Sequence, residues 1–397
     1  MANTFDILII GGGVHGASLA FHLAGRGVKV AVLEKSYVAA GATGRSSGLV
    51  RMHYDLEAEA ALAWVSFGYF SDWARRVGGT STSLSASSDC GFTRTGFVQI
   101  VEPEHEETLR ANILMHQRVG IAAIQITAAD VKRIAPHFYT DDFNIASYEP
   151  ESGYADPVST ANALMTVAKA RGAVYVQDCR VTGLEVSGGK VTGVTTSRGE
   201  YCAPLIVNAA GAWARQVCEM AGLDLPLSTW AHDTMFVLRP PELGRSHPTV
   251  IDFPNSMYFR PEGGLTLVGL EDGNPLGESP DGDTDHVRKG FVERAIERLC
   301  KRVPLMENGA LHSAHGGYDG ITPDQHPALG PIGPAGFWLD CGFSGTGFKI
   351  SPAVGLCMSE WILDGAPKTV DISIFTPQRF AKGKHLIAEH PYESIWR

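Results

Sequence analysis

The run from Phe5 to Ile10 has the composition of a buried strand, and it breaks directly into Gly11-Gly12-Gly13-Val14-His15-Gly16. Val14 to Ala24 then has helical character and ends at Gly25 and Gly27, and Val28 to Glu34 forms a second strand. This is a βαβ unit, and its turn satisfies GxGxxG. Gly11 permits the tight turn, Gly13 lets the backbone approach a pyrophosphate, and Gly16 lets the helix pack on the strand, with the helix N-terminus facing the anion. Glu34 ends the second strand, where a carboxylate can accept hydrogen bonds from a ribose diol. The unit predicts a dinucleotide site and by itself leaves NAD and FAD open.

A chain of 397 residues, 44% of them hydrophobic, is long enough for two domains sharing a large interface. The net charge of −10, without a lysine or arginine cluster, supplies no counterion-releasing track and argues against nucleic acid. The seven scattered cysteines include no CxxC pair, which predicts reduced, structural thiols and no zinc site. With no basic leader before an apolar stretch and no long apolar window, a cytoplasmic protein without a membrane span is expected.

Further along, Asp55 to Val77 has helical spacing with Trp64, Phe67, Phe70 and Trp73 as a core stripe, and the Ser/Thr-rich run Thr80 to Ser88 is expected to be a surface loop. Ala173 to Val176, Arg180 to Val186, Val191 to Ser197 and Leu205 to Asn208 predict a three-stranded meander returning to the main sheet. Thr234 to Leu270 is strand-rich and Asp285 to Val303 helical. Asp281, Asp283 and Asp285 imitate a calcium loop, but His286 and Val292 stand where Gly and Glu are needed, so a solvated loop is expected. His312 and His315 lie outside a helix, and His53 and His232 are isolated; no metal site is expected from them.

Three later segments carry a resemblance. They are Gly41-Ala42-Thr43-Gly44-Arg45-Ser46-Ser47-Gly48, Ile206-Val207-Asn208-Ala209-Ala210-Gly211-Ala212-Trp213 and Gly342-Phe343-Ser344-Gly345-Thr346-Gly347-Phe348-Lys349, the last opening a helix over Ser351 to Leu363. Together with the amino-terminal turn, they resemble the FAD-dependent oxidoreductases of the glycine oxidase, D-amino-acid oxidase and sarcosine oxidase type, most nearly the last.

The resemblance implies an α/β fold. A Rossmann-like FAD-binding domain with a β-meander (residues 1–80, 150–215 and 310–397) would be interleaved with an α+β substrate domain built on an antiparallel sheet (81–149 and 216–309). FAD would lie on Gly11, Gly13, Val14, His15, Gly16, Glu34 and Lys35. The second loop would contribute Ala42, Thr43, Arg45, Ser46, Ser47 and Gly48; Val181 would read the adenine edge, and Gly211, Trp213, Gly345, Thr346, Gly347, Phe348 and Lys349 would complete the site. Some relatives tether the flavin through a cysteine before the segment Gly317 to Asp324; here the residues are His315-Gly316-Gly317-Tyr318, which implies noncovalent FAD.

Arg51 and Lys349 match the positions that hold a substrate carboxylate in the sarcosine oxidase relatives, and an Arg fork with a Lys point charge suits that anion. The competing reading is salt bridges to nearby acids. Tyr258 and Arg260 alternate in a strand and would share one face, either lining the pocket or pointing outward. Thr266 stands where monomeric sarcosine oxidases carry an oxygen-activating lysine, so electron transfer to a carrier becomes an expectation beside oxygen. The implied reaction is hydride transfer from an amino acid or N-substituted amino acid to flavin, giving an imine that water hydrolyses. Two other readings remain: an NAD-dependent dehydrogenase, and a flavin-containing subunit of a multi-protein complex.

Overall fold

The structure, a computed structural model, describes residues 3–78, 89–244 and 246–392; the expected loop Thr80 to Ser88 lies outside them. Strand Ile7–Ile10 is apolar at every position because both its faces are covered. Ile7 and Ile9 point into the core under helix Val14–Gly25, whereas Leu8 and Ile10 point into the core under the meander. It is the third strand of a six-stranded sheet ordered Val174–Val176, Val30–Leu33, Ile7–Ile10, Leu205–Asn208, Phe337–Cys341 and Ala328–Pro331. All neighbours run parallel except the last pair. Helices Pro157–Ala170 and Ser351–Asp364 flank Val14–Gly25 on one face.

The meander differs in one strand from the expectation. Val174–Val176 joins the edge of the parallel sheet, and the third meander strand is Gly199–Cys202, which pairs with Lys190–Thr196 after Val181–Ser187. The Asp55 to Val77 helix is also shorter, Glu57–Phe70; Phe70 and Trp73 of its aromatic stripe are buried, while Trp64 is exposed.

An eight-stranded sheet, antiparallel except where Thr249–Asp252 runs parallel to Phe97–Ile100, forms the second layer. Its long pair, Ser228–Leu238 and Ala310–Ile321, lies at one edge, with Leu265–Leu270 and Met257–Glu262 next. The helix expected over Asp285 to Val303 is confined to Phe291–Arg302. Gly290 has φ +81°, and Arg288 is drawn away by Asp233, which accepts its backbone N–H at 3.0 Å and its guanidinium at 2.7 Å. All seven cysteines are free, and no helix among the described residues is long and apolar enough to cross a membrane.

The carboxyl-terminal segment is locked down by Arg379, which donates to both Asp324 oxygens at 2.7 and 2.9 Å. Burial pushes the Asp324 carboxyl up, but Arg379 and the Leu386 and His326 amides outweigh it and hold it at about 2. A carboxylate depressed in the folded state contributes stability that is present above its unfolded pKa of ~3.9 and is lost as pH falls towards the folded value. Acid unfolding followed by circular dichroism should therefore be less steep between these limits in Asp324→Asn than in the parent.

Candidate active site

A cavity of about 500 Å³ runs from the amino-terminal glycine turn to the inner face of the large sheet. At the turn, Gly11 has φ +112°, and a Cβ there would meet the Ala209 carbonyl oxygen at 2.5 Å, so two chain segments cross in contact. Gly13 caps the helix without a side-chain bond, and Gly13, Val14 and His15 at this N-terminus line the cavity. Val14 donates its N–H to Thr43 Oγ1 at 3.0 Å, tying the second glycine loop to the first. Glu34 is buried at the strand end, accepting the Gly12 and Ser36 amides at 2.7 Å each.

Beyond Glu34, Lys35 Nζ lies 3.5 Å from the Trp213 ring centroid, and both Lys35 and Trp213 Nε1 donate to Asp281, at 3.0 and 2.9 Å. The Asp281–Asp285 loop is exposed, as expected, and Asp281 also lines the cavity mouth, while Arg45 reaches Thr284 and Asp285 in the same segment. Ala42, Ser46, Ser47, Val181 and Gly211 also line the cavity. Gly16 and Gly48 do not: a Cβ on Gly16 would strike the Gly11 carbonyl at 2.1 Å and one on Gly48 the Ala155 carbonyl at 2.3 Å, so both serve close packing.

Midway, the third glycine segment closes over His15. The His15 ring stacks on Phe343 at 3.5 Å between centroids, and Nε2 bonds the Gly347 carbonyl at 3.1 Å. Burial holds this imidazole down at about 3 and pushes the neighbouring Asp340 carboxyl up to about 7. Gly345 and Phe348 line the cavity, and Gly345 donates its N–H to Asp319 at 2.7 Å. Thr346 faces away, its hydroxyl donating to the Phe343 carbonyl at 2.8 Å while its own carbonyl accepts from Tyr54 at 2.8 Å.

At the far end, Arg51 and Lys349 come together around Tyr54: the guanidinium carbon lies 5.0 Å and Nζ 5.4 Å from its ring centroid. Both are buried cavity residues, and neither forms a salt bridge among the described residues, contrary to the ion-pair reading. Burial, reinforced by Arg51, pushes the Lys349 ammonium well below its ordinary range. The segment carrying Arg51 is held from behind, where Glu149 accepts the Met52 amide at 2.9 Å and His116 Nε2 lies 2.6 Å from the Tyr54 carbonyl. His53 packs in this same layer, against His116 and Tyr392, and is not isolated.

Tyr258 lines the cavity and shares a 2.6 Å hydrogen bond with His232, which also lines it. A Cβ on Gly269, in the adjacent strand, would sit 2.2 Å from the Tyr258 hydroxyl, so that glycine makes room for the phenol. Arg260 shares the face but not the cavity; its guanidinium binds the Ser47 carbonyl and Glu262 and lies 4.3 Å from the Tyr154 ring centroid.

Thr266 is not at the cavity. It has the parity of Val268 and Leu270, which pack into the opposite core, and its hydroxyl lies 2.9 Å from His247 Nε2. The oxygen argument built on Thr266 therefore loses its geometric basis. Glu271, which sequence reasoning missed, has the other parity and lines the cavity with its Oε2 buried and without a hydrogen-bond partner among the described residues. Alternation along Leu265–Leu270 puts Glu271 on the side of Gly269, and the pairing of Gly269 with Tyr258 makes that the cavity side.

A family model described as FAD dependent oxidoreductase matches residues 6–361. The chain belongs to this family. Sarcosine dehydrogenase, mitochondrial, of Homo sapiens is 28% identical to this FAD-dependent oxidoreductase across 98% of the chain and 43% of the relative. Sarcosine oxidase subunit beta of Arthrobacter sp is 27% identical across 98% of the chain and 93% of the subunit. The chain thus spans less than half the length of the sarcosine and dimethylglycine dehydrogenases it matches. L-proline dehydrogenase from P. horikoshii has a TM-score of 0.88 at 26% identity, covering 97% of this chain and 100% of that one. Glycine oxidase from Geobacillus kaustophilus has a TM-score of 0.83 at 23% identity, covering 95% and 99%, a likeness of fold.

Membership decides between the two dinucleotides that the turn alone left open. The oxidoreductase's cavity also fits FAD on its own evidence: amides and glycine backbone at one end suit a pyrophosphate, and Glu34 suits a ribose. Where the third glycine segment meets the turn, Asp340 presents two buried oxygens and His15 a buried Nδ1 with no hydrogen-bond partner among the described residues, which suits a hydroxyl-rich ribityl chain.

Proposed function

We propose that this FAD-dependent oxidoreductase oxidises the C–N bond of an amino acid or N-substituted amino acid. The observation that carries the reading is the pair Arg51 and Lys349, two basic side chains buried in the cavity that form no salt bridge among the described residues. Buried charge left unpaired is costly, and an incoming carboxylate removes that cost. Bound FAD supplies the acceptor for a hydride leaving the substrate α-carbon. The protein's part is to fix the carboxylate on Arg51 and Lys349, hold Tyr258 and His232 against the substrate, and exclude water until the imine is released for hydrolysis. The printed names of the relatives, which act on sarcosine and dimethylglycine, support the substrate class.

The test is anaerobic mixing of the purified yellow protein with N-methyl, N-carboxyalkyl, cyclic and primary amino acids. Bleaching of the flavin by at least one class is the expected result; carboxylate binding without bleaching by any of them would sink the proposal.

Noncovalent FAD is part of the same proposal, supported by Gly316 and Gly317 standing where a tethering cysteine would precede Tyr318. Acid precipitation should release the flavin to the supernatant, and a yellow pellet would contradict it.

A further inference from the structure

The carboxylate clamp accounts for one end of a zwitterion. Resting on the function proposed above, we propose that Glu271 binds the substrate's ammonium and accepts its proton, so that the amine lies neutral beside the flavin. Glu271 follows the strand Leu265–Leu270 and is anchored by its backbone N–H, which donates to the Ser256 carbonyl at 2.9 Å. Its side chain lines the cavity that holds Arg51 and Lys349, and both cations act on it electrostatically without reaching ion-pair distance. At this end of the cavity, two basic groups and one carboxyl match the two ends of an amino acid.

Of the other acids that act on Lys349, Glu59 is bound by His326 at 2.9 Å and Glu149 by the Met52 amide and the Ser152 hydroxyl at 2.9 and 2.6 Å, and both lie outside the cavity lining. His232 and Tyr258 satisfy one another across their 2.6 Å bond, and burial holds His232 down at about 3. Asp252 is taken by Arg302 at 2.7 and 2.9 Å, and Asp272 by Arg298 at 2.7 and 2.9 Å. Among the described residues, Glu271 Oε2 is buried with no hydrogen-bond partner and, unlike the buried Glu149 Oε1, belongs to a residue that lines the cavity.

In the step, the substrate N–H bond breaks and its electron pair stays on nitrogen, while the proton forms an O–H bond at Glu271 Oε2. No redox change accompanies it. Only the neutral amine has a lone pair to support departure of hydride from the α-carbon. Burial, opposed by Arg51 and Lys349, pushes the Glu271 carboxyl up to about 8, which suits a proton acceptor working near neutral pH.

The experiment uses the FAD-loaded enzyme, Glu271→Gln and Glu271→Asp. Two ligands are compared: the amino acid that reduces the flavin best, and propionate, which has the carboxylate without the amine. Glu271→Gln should bind propionate, by calorimetry and by the flavin difference spectrum, at least as well as the parent. Its anaerobic flavin reduction at neutral pH should fall by about a hundredfold or more, and the rate should climb towards the amine's own solution pKa. Glu271→Asp should recover part of the rate. An unchanged rate and pH profile in Glu271→Gln would overturn the proposal, as would propionate and amino acid weakening in equal proportion, which marks a support for the clamp. If the parent binds propionate and Arg51→Ala does not, the clamp stands whatever Glu271 does. If the parent binds neither ligand, the proposed function itself fails.

Discussion

Arg51→Ala and Lys349→Met should each cost on the order of 2–5 kcal/mol in substrate affinity, because either change leaves a desolvated carboxylate short of a charged partner. At ~1.4 kcal/mol per factor of ten, that is a rise of roughly thirty-fold to several thousand-fold in the concentration that half-saturates flavin reduction. The two losses should not add, since both cations lie about the ring of Tyr54 and act on one anion. Stopped-flow reduction against substrate concentration separates this from a defect in the chemical step: the limiting rate should change less than the half-saturation point. Saturation identical to the parent in both variants would remove the clamp.

The second large effect is on stability. Arg302→Met should destabilise the protein by about 3–5 kcal/mol, the usual cost of removing one member of a buried ion pair. Arg302 is fully buried at the end of helix Phe291–Arg302, binding Asp252 at 2.7 and 2.9 Å and Asp142 at 2.8 and 2.9 Å. Its guanidinium also holds the Tyr139 carbonyl, so one side chain joins the helix, the strand Thr249–Asp252 and the loop at Asp142. Denaturant midpoints should fall sharply in Arg302→Met and recover in part when Asp252→Asn removes the stranded charge. A midpoint within error of the parent would show that the network carries no net stability. The site should feel the loss as well, because Asp252 lies in the electrostatic surroundings of Glu271.

Much of the dinucleotide end was legible in the sequence because its constraints are local. Gly11 needs a backbone conformation that other residues rarely adopt, and Gly13, Thr43 and Glu34 take their places from short connections between consecutive elements. Arg51 and Lys349 were legible one at a time. Their meeting around Tyr54 was not, since most of the chain separates them and the layer behind Arg51 comes from Glu149 and His116.

What stayed illegible has a physical source in the sheet. Thr266 is assigned by its match to the oxidase lysine and the sequence leaves the facing of Tyr258 and Arg260 open, because a strand alternates its sides and which side faces a cavity is set by pairing and twist of the whole sheet. Pairing places Gly269 opposite Tyr258, and the glycine's missing side chain turns the phenol towards His232. The same register sends Thr266 to the core with Val268 and Leu270 and leaves Glu271 facing Arg51 and Lys349. The sequence by itself thus determined the βαβ unit, the dinucleotide turn and the identity of the two cations, all of which rest on neighbours along the chain. Only the tertiary structure decided which side chains share the cavity, because that depends on contacts between segments hundreds of residues apart.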